Sequence, residues 1–75
     1  MSVLTDKIIA ESTNYLGPAA KKFLERQTTT HMGGLNFDDL QRSHIQDLAG
    51  WIATSGRLVI DESLAKELAG KILKL

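Results

Sequence analysis

Apolar residues recur along most of this chain at intervals of three and four, the spacing that places side chains on one face of an α-helix. Four stretches show this pattern, at residues 2–16, 18–27, 43–56 and 61–75. It is clearest in the last stretch, where Leu64, Leu68 and Ile72 share one arc. No segment alternates apolar and polar residues over more than about five positions, as a half-buried strand would. The pattern therefore predicts helices.

Gly17 and Pro18 separate the first two helical stretches. Proline has no amide hydrogen to donate, and its ring would clash with the carbonyl group of Asn14 in a continuous helix. Proline is also well suited to the first positions of a new helix. We therefore predict that the chain changes direction at this point, with Tyr15 near the corner.

Two segments lack helical periodicity. Residues 28–34 contain three threonines and two glycines, which disfavour a helix and predict the main loop of the molecule. Residues 57–60 predict a short apolar connector in front of the last helix.

Helix-capping residues predict where the later helices begin and end. Asn36 is a suitable N-cap for a very short helix, and Asp61 is a suitable N-cap for the last one. Ser43 with Gln46 three residues later matches a capping box. Gly56 is typical of a glycine at a helix C-terminus.

Composition agrees with a helical fold. The 75 residues include eleven leucines but two valines, and aromatic residues make up 5%, which favours helices over strands. A chain of this length buries one small core. We predict a single all-α domain over residues 1–75, a compact orthogonal bundle of four to five short helices.

The charge balance and the absence of cysteine exclude several classes of protein. Nine basic residues offset nine acidic ones, so the net charge gives no general attraction to nucleic acid or to an anionic membrane. A chain without cysteine has no disulfide, thiol nucleophile or thiolate metal site. The sequence shows neither a secretory signal nor an apolar run of the ~20 residues that a membrane span needs. We expect a cytoplasmic protein that does not associate with membranes.

The polar residues form no arrangement typical of catalysis or cofactor binding. His31 and His44 have no neighbouring ligands in a metal-binding spacing. The Gly33-Gly34 pair lacks the Lys-Ser/Thr ending and the preceding strand of a phosphate loop. We therefore expect no catalytic residue, no metal, no cofactor and no small-molecule substrate, and we do not expect an enzyme.

Several side chains instead suit an interaction surface. Lys21, Lys22 and Arg26 form a small basic patch. Trp51 lies about 60° outside the apolar stripe of its helix, which predicts a partly exposed indole. Leu73 lies outside the apolar arc of the last helix, so a monomer would leave it exposed. The candidate interaction residues are Tyr15, Pro18, Lys21, Lys22, Arg26, Trp51 and Leu73.

Self-association is favoured by the small size of the chain. Burial of apolar area barely exceeds the loss of conformational entropy at this length, and oligomerisation is a common remedy. We favour a homodimer to which the last helix contributes, with another protein as the alternative partner.

A small nucleic-acid-binding regulator is the alternative function. Residues 38–40 and 43–54 permit a helix-turn-helix interpretation, with the basic patch on the phosphate backbone. The second of these segments contains no Arg or Lys, whereas helices that read the major groove usually carry basic and amide side chains. Phosphate-driven binding weakens steeply with salt, which would distinguish it from an apolar interface.

Residues 15–27, Tyr-Leu-Gly-Pro-Ala-Ala-Lys-Lys-Phe-Leu-Glu-Arg-Gln, resemble a small helical module found at the ends of bacterial and archaeal signalling proteins such as kinases and response regulators. Residues 17–21 and 23–24 carry the resemblance, which extends over residues 15–73. It implies a non-enzymatic accessory or docking role and assigns no catalytic residue. We therefore expect a docking or self-associating interaction module, with a role in prokaryotic signalling.

Overall fold

The computed structural model describes residues 2–75 and contains helices joined by short turns and connectors. Within these residues there is no strand, and the chain occupies 28 × 22 × 21 Å, so the all-α, compact fold is confirmed. The elements in chain order are α1 (Val3–Leu16), a 3-10 turn (Gly17–Ala19), α2 (Ala20–His31), two further 3-10 turns (Phe37–Asp39 and Arg42–His44), α3 (Ile45–Gly56) and α4 (Glu62–Leu73).

The helices form fewer separate units than the sequence predicts. The turn at Gly17–Ala19 joins α1 directly to α2 with no loop residue between them, so residues 3–31 make one interrupted helical unit. With α3 and α4 this gives three helical units in the described part of the chain. The prediction of four to five separate helices is therefore wrong, because the Gly-Pro corner redirects the helix without opening a loop.

The corner at Gly17 confirms the predicted break. Gly17 has φ 62° and ψ −146°, a conformation that is essentially restricted to glycine, and its amide donates to the Thr13 carbonyl oxygen. Tyr15 lies just before the corner, where its hydroxyl donates to Glu67 Oε2 at 2.5 Å. Tyr15 therefore ties α1 to α4 beside the corner.

α2 continues four residues beyond its predicted end, so the prediction that the loop begins at residue 28 is wrong. Thr28 is buried, and its hydroxyl donates to the Glu25 carbonyl oxygen. Gln27 is also buried, and its Nε2 donates to the Phe23 carbonyl oxygen. Burial and these local hydrogen bonds outweigh the low helix propensity of the threonines. The remaining loop covers residues 32–36, where both glycines have positive φ.

Two of the predicted N-caps are confirmed and one is wrong. The Asn36 side chain accepts from a backbone amide at the start of the next 3-10 turn, and Asp61 occupies the N-cap position of α4, although its side chain makes no capping hydrogen bond. Ser43 does not cap α3, because it lies inside the 3-10 turn Arg42–His44. The Nδ1 atom of His44 instead accepts from the Gln41 amide at 2.9 Å at the start of that 3-10 turn, and no side chain within residues 2–75 caps α3.

The core lies where the helices meet, and α3 and α4 share the most extensive contact. The side chains that define it are almost entirely shielded from solvent: Ile8, Leu24, Phe37, Leu40, Leu48, Ile52, Leu68 and Ile72. This arrangement leaves one side of α2 facing the connector that follows α3.

Gly56 ends α3 as predicted, but not in the left-handed conformation of a glycine C-cap. A Cβ atom at this position would lie 3.0 Å from the Cβ of Ala65. The glycine therefore allows the end of α3 to approach α4 closely.

Candidate interaction surface

A groove runs along one side of α2, between that helix and the segment that leaves α3. It consists of two adjoining depressions of about 240 and 280 Å³, which share Phe23, Arg26 and Val59. We call this surface the α2 groove. It is lined by Ala19, Lys22, Phe23, Arg26, Gln27, His31, Ser55, Leu58 and Val59.

The sequence spacing explains why these side chains share one face. The helical side chains that line the groove recur every three or four residues, which places them on one face: Ala19, Lys22, Phe23, Arg26, Gln27 and His31. From residue 19 to residue 31 the helix rises by roughly 18 Å, about three turns. The groove is therefore a linear feature as long as a short helix.

The connector supplies the most exposed apolar side chains of the groove. Leu58 is 82% exposed and Val59 58% exposed. Backbone hydrogen bonds fix this segment to the end of α3, since the Leu58 amide donates to the Ser55 oxygen and the Val59 amide to the Gly56 oxygen. Single exposed leucines are common on protein surfaces, and this segment differs in that two adjacent apolar side chains are exposed beside a concave surface.

Two cations border the groove, and no carboxylate lines it. Lys22 and Arg26 are four residues apart on α2, and both side chains are exposed. Lys21, the third residue of the predicted basic patch, is also exposed but does not line the groove. Two of the three residues in the predicted basic patch therefore border the groove and the third does not. Their charges give the groove a positive local field, although the net charge of the chain is zero.

An aromatic stack lies at the end of the groove. The rings of His31 and Trp51 are nearly parallel, with centroids 4.1 Å apart and planes inclined by 9°. Trp51 is half-buried, which confirms its predicted partial exposure. The sequence does not predict this stack, because a loop over residues 28–34 would remove His31 from the helix. The signal that could have found it is the spacing of four from Gln27 to His31 on one continuous helix.

One buried polar atom belongs to a residue of the groove. The Oε1 atom of Gln27 is shielded from solvent and accepts no hydrogen bond within residues 2–75, while Nε2 is held by the Phe23 carbonyl group. A buried acceptor without a donor is energetically unfavourable. Gln27 therefore leaves one acceptor unsatisfied in the interior beneath the groove.

Tyr15 belongs to a different cluster. Besides its bond to Glu67, its ring lies beneath Lys71, whose Nζ is 5.2 Å from the ring centroid. The pKa of Lys71 is raised above its ordinary value, chiefly by its interaction with the Tyr15 hydroxyl and less by the negative charges of Glu11 and Glu67, while desolvation lowers it. Tyr15 therefore stabilises the contact between α1 and α4 and does not line the groove.

The other candidate residues are dispersed. Pro18 is exposed at the corner, directly before Ala19 at the end of the groove. Leu73 is 54% exposed near the end of α4, as predicted for a monomer, but does not line the groove. Lys22 and Arg26 are thus the two predicted residues that line the same surface, and Trp51 adjoins it through His31.

The solvent-facing side of α3 is the recognition surface that a helix-turn-helix interpretation would require. Around Trp51 it presents Gln46, Asp47, Gly50 and Thr54, none of them basic. The nucleic-acid alternative therefore rests on the three cations at residues 21, 22 and 26.

Within residues 2–75 no three histidine or acidic side chains converge to hold a metal ion. None of the helices described has the length and apolar character that crossing a membrane requires. Comparison of the chain with protein-family models, with curated proteins and with solved structures gives no match.

Proposed function

We propose that this chain is a non-enzymatic interaction module that docks a protein partner through the α2 groove. The observation that carries the proposal is the exposure of Leu58 and Val59 beside Phe23, in a concave surface bordered by Lys22 and Arg26. An apolar surface of this kind gains free energy when a partner removes it from water, at roughly 25 cal/mol per Å² buried.

The two kinds of side chain contribute differently to docking. The apolar side chains supply affinity, while cations at the border raise the association rate and exclude partners of the wrong charge. The resemblance of residues 15–27 to modules of prokaryotic signalling proteins supports a place in signalling, in the cytoplasm.

Site-specific photo-crosslinking in cells that express the chain tests this function. A photoreactive amino acid at position 59 lies in the groove, and one at exposed position 10 on α1 is the matched control. We expect a discrete protein adduct from position 59 that is absent from position 10. Identical adducts from both positions, or none from position 59, would contradict the proposal.

The crosslink also distinguishes a partner from a second copy. An adduct of twice the chain's mass of 8.2 kDa would identify self-association through the groove. A heavier adduct that contains a different protein would identify docking.

A nucleic-acid-binding regulator remains the second candidate, supported by the exposure of Lys21, Lys22 and Arg26. Binding through these cations would weaken steeply as salt concentration rises, because phosphate contacts release counterions. Electrophoretic mobility shifts with duplex DNA at two salt concentrations test it. Absence of a shift at low salt would exclude this function.

A further inference from the structure

We propose that the segment bound in the α2 groove is an acidic amphipathic helix, with apolar anchors in the two depressions and carboxylates on Lys22 and Arg26. This inference rests on the proposed docking function and specifies the class of partner.

The form of the groove favours a helix over an extended strand. Extended peptides gain affinity by adding to the edge of a sheet, and residues 2–75 contain no strand. A helix instead inserts apolar side chains at intervals of three and four into a groove beside another helix. The two adjoining depressions, which meet at Phe23, Arg26 and Val59, offer places for two such anchors.

Charge determines which amphipathic helix fits. Lys22 and Arg26 are separated by four residues, a rise of about 6 Å, and carboxylates one turn apart on a partner have the same spacing. The guanidinium group of Arg26 can bind a carboxylate through two parallel hydrogen bonds. Because no acidic side chain lines the groove, a basic helix would meet only repulsion there.

The same geometry disfavours a polyanion as the occupant. Tight binding of nucleic acid usually requires several phosphate contacts spread along the backbone. Here two cations border a surface whose centre is formed by Phe23, Leu58 and Val59. The combination of a few charges with an apolar centre fits a helix that carries both kinds of side chain.

A displayed library of helical peptides about 14 residues long, enough to span the groove, tests the inference. The apolar positions are fixed at helical spacing, and each flanking position is Glu, Gln or Lys. Selection is performed on the purified chain, on the Lys22→Glu/Arg26→Glu double variant, and on Lys21→Glu as the matched control. All three substitutions replace exposed side chains of α2, and circular dichroism checks that the helices are retained.

We expect the unmodified chain and Lys21→Glu to enrich Glu at flanking positions one turn apart. The double variant should lose this preference and bind the selected peptides about tenfold or more weakly, since like charges then face one another. Enrichment that ignores charge, the same Glu preference on the double variant, or no enrichment at all would overturn the inference.

Failure of this inference and failure of the docking function give different results. A crosslinked partner whose contact segment is neither helical nor acidic would overturn the inference and leave docking through the groove intact. Absence of any specific crosslink from position 59 would contradict the docking function itself.

Discussion

Ser12 illustrates a polar side chain that the fold buries without satisfying. It lies on the buried side of α1, and its hydroxyl oxygen has no hydrogen-bond partner within residues 2–75. An unsatisfied buried hydroxyl costs about 1–3 kcal/mol, and alanine is the better helix former. We therefore expect Ser12→Ala to raise the free energy of unfolding by about 1 kcal/mol, measured by urea denaturation.

The neighbouring exposed residue is the control for that substitution. The Thr13 hydroxyl donates to the Ile9 carbonyl oxygen at 2.7 Å on the solvent side of α1. Thr13→Ala should change stability by no more than about 0.5 kcal/mol, as surface substitutions usually do. If Ser12→Ala lowered the stability, the Ser12 hydroxyl would have to be bonded in the folded protein.

The stack of His31 on Trp51 makes indole accessibility measurable. His31→Ala uncovers one face of the Trp51 ring, so we expect acrylamide to quench its fluorescence more efficiently than in the unmodified chain. Thr30→Ala, at the adjacent exposed position of α2, should leave the quenching constant unchanged. Equal quenching in all three proteins would show that the rings are not stacked in solution.

The corner between α1 and α2 depends on one glycine. At φ 62° a side chain at position 17 is strained, although no atom lies within 4 Å of a Cβ placed there. Gly17→Ala should lower the free energy of unfolding by about 1–3 kcal/mol. Gly50→Ala is the contrasting substitution, because Gly50 is exposed within α3 with open space around it, and there alanine should stabilise by about 0.5–1 kcal/mol.

Both substitutions are measured by thermal or urea unfolding monitored by circular dichroism. Stabilisation by Gly17→Ala would mean that the corner does not require a positive φ at residue 17.

Local sequence signals predict some helices well. They fail where contacts between residues distant in sequence determine where a helix ends. Asp61 and the apolar spacing behind it place α4 almost to the residue, because cap and pattern agree. The sequence predicts too early an end for α2 because threonine is a weak helix former. In the folded chain Gln27 and Thr28 are buried, and α2 packs against α1 and α3. Helix propensities describe each residue in isolation and therefore do not include packing between elements of the folded chain.

The candidate site was predictable only in part, for the same reason. The basic residues of α2 were recognised from the sequence, but their division into groove and non-groove positions was not. In the sequence, Leu58 and Val59 belong to a short apolar connector with no sign of a binding role. The structure shows that this connector lies beside α2. The surface is assembled from two segments about thirty residues apart, so it has no continuous motif.

The dimensions of the protein suit docking better than substrate enclosure. The Cα radius of gyration is 10.7 Å, close to the ~11 Å expected for a compact chain of 75 residues. A core this small leaves no room for a deep cleft, and the α2 groove is a shallow surface feature. The proposed docking function requires a partner that covers this surface.

Self-association through α4 stays a prediction. Leu73 is 54% and Leu64 43% exposed, but they are nine residues apart and therefore lie on opposite sides of the helix. If a dimer uses the side of Leu73, Leu73→Glu should dissociate it while Leu64→Glu leaves it intact and helical content is unchanged in both. Sedimentation equilibrium from micromolar to millimolar protein measures this. A constant mass near 8.2 kDa across that range would contradict the dimer.

The most direct test of the α2 groove as the docking surface compares two charge reversals on one helix. The partner captured from position 59 is purified, and its Kd is measured by titration calorimetry with Arg26→Glu and with Lys21→Glu. Both substitutions change the net charge equally, but Arg26 lines the groove and Lys21 does not. We expect Arg26→Glu to weaken binding about tenfold and Lys21→Glu to leave it within about twofold. Equal weakening by both substitutions, or weakening by Lys21→Glu alone, would show that the groove is not where the partner binds.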